Sequence, residues 1–376
     1  MLTVLFVDDE PMVLEGIRRA LRDARHEWNM LFAPSAARGL ELLASQPVDV
    51  VVTDMRMPGM DGHELLEAVR KDFPAVIRLM LSGQADQSTL MRTVGCAHQF
   101  MAKPCDLAVL RTTISRSVAL RSLLADQKEA LGPTSIETLP APPAVYQELV
   151  ECLSDTRSSL KDAAAIIARD PALTSLLLKV SNSAFFGPPR PVTTIERACS
   201  FLGMEIISGL TLNRSLVVAN PGLFREGAPL AAWPAHSLQV AGLSRRIATL
   251  QEFTEGTIAL AFLVGLLHDV GELVLATQSH AASGDSDTRH AHLGAYLLGL
   301  WGFAPSIIDA IAWHHDPTRQ ASGNFELKQV VYLADRIATH PGANSPQALE
   351  LDCAFTTRPD FASLWHKLAG TGDLVG

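Results

Sequence analysis

The first part of the chain alternates short apolar runs with segments in which apolar residues recur every three or four positions. The runs that predict strands are Leu2–Val7, Val48–Thr53, Ile77–Leu81 and Phe100–Ala102. The segments that predict helices are Met12–Arg22, His63–Lys71 and Gln87–Val94. Strands that alternate with helices pack as a parallel sheet with helices on both faces. We therefore expect a doubly wound, five-stranded parallel α/β sheet here.

The later part of the chain shows helical spacing and almost no alternating strand pattern. The segments that predict helices are Val145–Leu153, Ser159–Ile167, Leu173–Val180, Ile195–Leu202, Ala235–Leu250, Thr257–Leu275, His292–Leu300, Ser306–Trp313 and Leu327–Ala338. A succession of amphipathic helices without strands is typical of an all-α domain. The chain is therefore expected to be multidomain, with an α/β domain followed by an all-α domain.

A long helical segment joins the two patterns. Residues 106–131 carry Leu and Ile at heptad-like spacing and stop at Gly132-Pro133, a helix-breaking pair. Polar residues interrupt this seam, so the segment is a weak coiled coil but still a candidate homodimer interface. We place the first domain at residues 1–120, a helical linker at 121–133, the second domain at 134–345 and a tail at 346–376.

Composition and charge narrow the functional classes. The chain has 376 residues, of which 48% are hydrophobic and 19% charged, so it can bury more than one core. The net charge of −9 argues against binding nucleic acid by bulk attraction to phosphates. The five cysteines are scattered, as expected in a reducing cytoplasm. The apolar run Thr257–Leu267 is shorter than a bilayer span, so no membrane association is expected.

Polar residues with matching chemistry follow the predicted strands. Asp8 and Asp9 follow the first strand, Asp54 and Ser82 end two others, and Lys103 follows the last. Carboxylates that meet at one sheet edge repel each other unless a divalent cation, here Mg²⁺, joins them. A carboxylate beside Mg²⁺, a lysine and a hydroxyl can attack a phosphoryl donor. The alternative is that these residues only start loops and cap helices.

These residues lie in motifs with a clear resemblance to a known family. The motifs are Val7-Asp8-Asp9-Glu10, Asp54-Met55-Arg56-Met57-Pro58-Gly59-Met60-Asp61-Gly62, Leu81-Ser82-Gly83 and Phe100…Lys103-Pro104. Together they resemble the receiver domain of two-component response regulators over about residues 1–120. The resemblance implies a flavodoxin-like fold in which a histidine kinase phosphorylates Asp54.

The same resemblance assigns roles to the residues around the phosphoacceptor. It implies that Asp8 and Asp9 hold Mg²⁺ together with Asp54 and the backbone carbonyl of Arg56. Lys103 would contact the phosphoryl group. The positions that rearrange on phosphorylation, a hydroxyl and an aromatic residue, are Ser82 and Phe100.

Histidines are concentrated in the second half of the chain. The candidate metal ligands, each in or near a different predicted helix or beside a neighbour, are His236, His268, Asp269, His292, His314, His315 and Asp335. Imidazoles and carboxylates from several helices can converge on Fe, Mn or Zn in a bundle core. The alternative is a set of hydrogen-bonded core histidines. We prefer that alternative for His280, His290, His340 and His366.

The second half also resembles a known family. The motifs are Leu139-Pro140-Ala141-Pro142-Pro143, Asp170-Pro171-Ala172-Leu173, Ser181-Asn182-Ser183-Ala184-Phe185-Phe186-Gly187, Ile195-Glu196-Arg197-Ala198, Phe201-Leu202-Gly203, Trp233…His236-Ser237, Gly265-Leu266-Leu267-His268-Asp269-Val270-Gly271 and Ala334-Asp335. They resemble the HDOD output domain, a relative of the HD phosphohydrolases, over about residues 134–345. HDOD domains are mainly signalling modules, many of which have lost metal ligands.

The resemblance leaves two functions open. The near-complete ligand set is similar to that of HD-GYP cyclic-dinucleotide phosphodiesterases, which implies a metal-dependent phosphohydrolase. However, Glu272 stands where those enzymes carry Lys, and no Gly-Tyr-Pro loop follows His314-His315. We therefore favour a response regulator whose output domain binds metal without turnover and acts through an unidentified protein partner.

Overall fold

The computed structural model describes residues 2–82, 96–103, 107–125, 142–154, 158–183, 186–277, 288–319, 325–343 and 345–371. The chain forms two compact units, built mainly from residues 1–144 and from residues 145–295 with 304–376. The predicted helix Gln87–Val94 and the proposed linker after residue 125 lie outside the described residues.

The first unit is a parallel sheet with helices between its strands. Its strands are β1 (Leu2–Val7), β2 (Trp28–Ala33), β3 (Val50–Asp54), β4 (Ile77–Ser82) and β5 (Gln99–Ala102). Its described helices are α1 (Pro11–Ala20), α2 (Ala36–Ser45), α3 (Gly62–Asp72) and α4 (Leu107–Ala125). The strand order is β2-β1-β3-β4-β5, and every pair is parallel. The predicted five-stranded α/β sheet is confirmed.

The strands in the middle of the sheet are the ones that the apolar runs predict best. β1 and β3 are buried along almost their whole length, as parallel strands covered on both faces must be. The edge strand β2 is partly exposed at its centre, and the polar Asn29 shortens its apolar run to Met30–Ala33. The sequence pattern did not predict this strand.

Helices are the only regular secondary structure in the described residues of the second unit, and the all-α prediction is confirmed there. Its helices are α5 (Ala144–Ser154), α6 (Leu160–Ala168), α7 (Pro171–Ser181), α8 (Ile195–Leu202), α9 (Met204–Ala219), α10 (Pro221–Phe224), α11 (Trp233–Leu250), α12 (Glu255–Leu267), α13 (Val270–Thr277), α14 (Arg289–Leu300), α15 (Pro305–Ala312), α16 (Leu327–Thr339), α17 (Cys353–Thr356) and α18 (Phe361–Thr371). The last of these packs on α11 and buries Leu364 and Leu368.

Two features of this unit differ from the sequence pattern. The helix α9 is buried on several sides and therefore shows no amphipathic period. The segment predicted as one helix, Thr257–Leu275, is divided into α12 and α13 by a turn at His268-Asp269. The stretch Glu255–Ala276 is long and apolar enough to cross a bilayer, but 72% of its most apolar window is buried inside the protein. It serves as a core element of this unit.

Candidate functional sites

The acidic residues of the first unit lie where its central strands end. Asp54 is the last residue of β3 and Asp8 follows β1, in a register that pairs Val7 with Thr53. Asp8, Asp9 and Asp54 each offer a carboxylate oxygen, and these oxygens lie within 4.8 Å of one another. The carboxyl ends of parallel strands share one edge, and this geometry brings the three together.

Lys103 connects two of these carboxylates. Its Nζ lies 2.6 Å from Asp54 Oδ1 and 2.8 Å from Asp8 Oδ2. Burial disfavours the charged ammonium, but the two carboxylates outweigh it and raise the pKa of Lys103. The lysine is therefore a fixed cation beside the proposed phosphoacceptor.

The donor set of this edge fits Mg²⁺. Three carboxylates face one another, whereas Lys103 brings a single positive charge. Carboxylate oxygens are the ligands that a hard divalent cation prefers. Asp8 Oδ1 also accepts a hydrogen bond from the backbone amide of Glu10 at 2.9 Å, which fixes the orientation of that carboxylate. Mg²⁺ in this position would neutralise charge on a transferred phosphoryl group.

The loop after Asp54 folds back onto the strand end. The Gly62 amide donates to the Met55 carbonyl at 2.9 Å, and a Cβ at Gly62 would overlap the carbonyl oxygen of Asp54. Asp61 caps α3 in a capping box with Glu64. Only glycine permits this close approach of the helix start to the backbone of Asp54.

The other predicted receiver residues are placed by their backbone. Ser82 ends β4 and pairs with Ala102, Phe100 lies in β5, and Arg56 lies in the loop after β3. The side chains of Ser82 and Phe100 lie outside the described part of the chain. Their roles, and that of the Arg56 carbonyl, stay predictions.

Six of the seven metal ligands predicted for the second unit converge on one site. They come from α11 (His236), the turn after α12 (His268 and Asp269), the segment after α15 (His314 and His315) and α16 (Asp335). The structure adds His290 from α14. The helices that carry these residues pack closely. The helix α12 approaches α11 so closely that a Cβ at Gly265 would lie 2.9 Å from the Cα of Ala241.

The first half of the cluster surrounds Asp335. His236 Nε2 lies 3.2 Å from Asp335 Oδ1, and His268 Nε2 lies 3.8 Å from the same oxygen. Asp269 Oδ2 is 3.5 Å from His236 Nε2 and 3.1 Å from His268 Nε2. Two imidazoles and two carboxylates thus face each other.

The second half of the cluster is built from histidines. His290 Nε2 lies 3.3 Å from His314 Nε2 and 3.1 Å from His315 Nε2. Asp269 Oδ1 lies 3.1 Å from His290 Nε2 and 3.8 Å from His314 Nε2. Asp269 therefore presents one carboxylate oxygen to each half of the cluster.

Backbone carbonyls orient two of the rings. His268 Nδ1 lies 2.9 Å from the Gly265 carbonyl, and His314 Nδ1 lies 2.7 Å from the Ile311 carbonyl. Each Nδ1 donates to its carbonyl, which directs each Nε2 toward the cluster, where it can bind a metal or carry a proton. This arrangement of the second nitrogen is characteristic of metal-binding histidines.

The polar atoms of the cluster fit a transition metal. His268 Nε2 is buried and faces two carboxylates, 3.1 Å from Asp269 Oδ2 and 3.8 Å from Asp335 Oδ1. A nitrogen that faces two carboxylates in this way requires a cation between them, either a metal or a proton. Imidazole and carboxylate ligands without thiolate suit Fe, Mn or Zn. A metal held by these residues would act as a Lewis acid toward a bound oxyanion.

Without a metal, the charges of the cluster are compensated by protons. Burial opposes a charge on His268 and His290, but neighbouring carboxylates raise their pKa values to about 10 and about 9. Burial lowers the pKa of His314 well below its usual value, and nearby His315 adds to the effect. The protonated histidines in turn hold the pKa of Asp269 low despite its burial.

The assignment of His292 to this cluster is wrong, and His290 takes its place. The His292 ring packs against Trp313 with a centroid distance of 4.9 Å. Residues two apart on a helix point about 200° away from each other, so only one of these two histidines can face the cluster. The register of α14, which the local sequence does not specify, selects His290.

Glu272 contacts the cluster through His290. Its Oε1 lies 3.1 Å from His290 Nδ1, and its side chain is 34% exposed. This contact is consistent with a carboxylate that orients a metal-site histidine.

The two sites combine a carboxylate-rich sheet edge with a histidine–aspartate cluster in a helical unit. Comparison with family models identifies the domains that carry these sites. The response regulator receiver domain matches residues 4–115, the HDOD domain residues 139–284 and the HD domain residues 235–340. The HD match spans all the cluster residues. The chain therefore contains an N-terminal response regulator receiver domain followed by HDOD and HD domains.

Several known proteins are similar to parts of the chain. The hydrogenase transcriptional regulatory protein HoxA of Cupriavidus necator is 31% identical over 42% of this chain and 32% of its own length. The response regulator protein FleR of Pseudomonas aeruginosa is 30% identical over 36% of this chain and 28% of its own. The chain thus spans a third or less of these relatives.

A solved structure covers more of the chain. The HDOD domain protein of unknown function from Geobacter sulfurreducens is 21% identical, with a TM-score of 0.44, and the alignment covers 68% of this chain and 89% of that one.

Proposed function

We propose that a histidine kinase phosphorylates Asp54 and that this modification controls the HD-type output domain. The observation that carries the proposal is the position of Lys103 Nζ, 2.6 Å from Asp54 Oδ1 and 2.8 Å from Asp8 Oδ2 at the ends of parallel strands. We place the protein in the cytoplasm, where its kinase would act.

The chemistry follows from the charges at this edge. A carboxylate oxygen of Asp54 forms a bond to phosphorus while the bond from phosphorus to the donor atom breaks, and the electron pair leaves on that atom. Lys103 compensates negative charge on the transferred group. Asp8, Asp9 and the carbonyl of Arg56 would hold the Mg²⁺ that the transfer requires.

The test is phosphorylation of the purified chain with acetyl phosphate, followed by intact-mass spectrometry. We expect one added phosphoryl group in the presence of Mg²⁺, none after chelation and none in Asp54→Ala. Asp23→Asn is the matched control, because Asp23 is exposed and remote from the strand ends. Modification of Asp54→Ala at the wild-type rate would contradict the proposal.

For the output domain, we infer metal binding and signalling through a partner protein rather than turnover. Glu272 supports this inference, because its carboxylate lies beside His290 at the rim of the cluster. A negative charge there repels an anionic phosphodiester. The segment around α4 remains our candidate for dimerisation.

A second candidate function is metal-dependent phosphoester hydrolysis. The observation that favours it is the convergence of five histidines and two aspartates on one site. Metal-loaded protein would be incubated with a cyclic dinucleotide and the products separated by chromatography. We expect no turnover. Robust hydrolysis that is lost in Asp269→Ala would replace the signalling proposal with the enzymatic one.

A further inference from the structure

A pocket of about 240 Å³ lies in the second unit, away from the histidine cluster. Leu176 of α7, Leu210 of α9, Leu238 of α11 and Leu266 of α12 supply apolar walls. The positions that face the pocket from α9 follow a helical spacing of three and four residues, so one face of this helix forms one side.

The pocket contains a cation whose hydrogen-bonding capacity is largely unused. Arg214 Nε is buried and has no hydrogen-bond partner within the described residues. The guanidinium meets Asp170 Oδ2 only at 3.8 Å, while Asp170 Oδ1 accepts the Ala172 amide at 2.9 Å as the cap of α7. Asn213 beside it donates to the Leu266 carbonyl at 3.4 Å. The arginine can therefore accept an anion as a planar, two-pronged donor.

We propose that this pocket binds a small monocarboxylate with an apolar body. A cavity of about 150 Å³ already holds benzene, so this larger one has room for a short alkyl chain or a substituted ring. The apolar walls would bury the body, and Arg214 would pair with the carboxylate. Concave apolar sites with a few placed polar groups are typical of ligand pockets.

The pocket and the metal cluster share two helices. Pro234 and Leu238 face the pocket from α11, and His236 lies between them in sequence. Because residues two apart on a helix differ by about 200°, His236 points to the opposite side. A ligand in the pocket would therefore contact the helix that positions a cluster residue, which makes it a candidate regulator of the cluster.

The adjacent helix α12 also connects the pocket with the cluster. Leu266 lines the pocket, and His268 follows two residues later in the cluster. In addition, Trp233, next to Pro234, donates from Nε1 to the Asp269 carbonyl at 3.2 Å.

The experiment is isothermal titration of the full chain with octanoate and with its uncharged analogue octanamide. We expect saturable octanoate binding at one site and at least tenfold weaker binding of octanamide. In Arg214→Gln, octanoate binding should fall at least tenfold while octanamide binding stays unchanged. Arg197→Gln, an exposed arginine on α8, is the control and should behave as wild type.

A second variant obstructs the pocket and leaves the arginine in the sequence. Ala172→Trp places an indole at the rim of the pocket and should abolish binding of both compounds. Circular dichroism melting would show that the variants remain folded. Absence of saturable octanoate binding to wild type would overturn the proposal. Octanamide binding as tight as octanoate binding would also overturn the proposal. So would wild-type binding of octanoate by both Arg214→Gln and Ala172→Trp.

Discussion

At the scale of single residues, Lys103 and the proposed magnesium ion compensate the same negative charges. Its Nζ contacts Asp54 and Asp8, which are also proposed ligands of the ion. In Lys103→Met we therefore expect Mg²⁺ to bind at least as tightly as in wild type, because a competing cation has been removed. Isothermal titration with MgCl₂ measures this, with Lys71→Met as an exposed control. A large loss of affinity in Lys103→Met would show that the lysine organises the ligands instead.

Glu272 offers a second test at this scale. The Glu272 carboxylate lies 3.1 Å from His290 Nδ1, where it can hold the ring with Nε2 toward the cluster. Loss of such an orienting partner lowers metal affinity by about 10- to 100-fold. We expect Glu272→Gln to weaken Mn²⁺ or Zn²⁺ binding by at least tenfold in competition with a chelating dye. Glu255→Gln, exposed at the start of α12, should change nothing. Equal affinities in the two variants would remove the orienting role.

At the scale of elements, the packing of α13 against α14 depends on one glycine. A Cβ at Gly271 would overlap the carbonyl oxygen of His290 and lie 2.7 Å from the Gly294 amide nitrogen. This close approach also brings Glu272 to His290. The two helices must separate to accept a methyl group there.

We therefore expect Gly271→Ala to lower the free energy of unfolding by about 1–3 kcal/mol, as overpacking does. It should also weaken metal binding. Gly256→Ala is the matched control, because nothing lies within 4 Å of its added Cβ and alanine is the better helix former. Urea denaturation measures both variants. A Gly271→Ala protein as stable as wild type would mean that the helices pack less tightly than described.

At the scale of the whole molecule, metal in the histidine cluster should stabilise the protein. A ligand that binds only the folded state adds about 2.7 kcal/mol when its concentration is 100 times its Kd. We expect a transition-metal chelator to lower the melting temperature while excess Mg²⁺ keeps the receiver site supplied. Differential scanning calorimetry checks this.

Asp269→Ala provides the control for metal removal. This variant lacks the carboxylate that faces both halves of the cluster. We therefore expect the chelator to leave the melting temperature of the variant unchanged. A chelator effect of the same size in this variant would place the stabilising metal elsewhere.

The sequence by itself determined much of the receiver site and part of the helical cluster. Asp8 and Asp54 could be paired from their positions after two apolar runs, because parallel strands end at one edge of a sheet. Likewise, His268 follows the apolar run that ends α12, and its burial could be anticipated. By contrast, β2 and α9 lacked the period-2 or amphipathic patterns on which such predictions depend.

Only the tertiary structure decided which histidines meet and what they contact. His290 and His292 are chemically alike and two positions apart, so their roles depend on the rotation of α14. That rotation is fixed by long-range packing, including the contact at Gly271, and local sequence carries no record of it. The pocket around Arg214 arises in the same way, because residues from four different helices build it. Strand ends share an edge by topology alone, whereas helix faces meet only through packing.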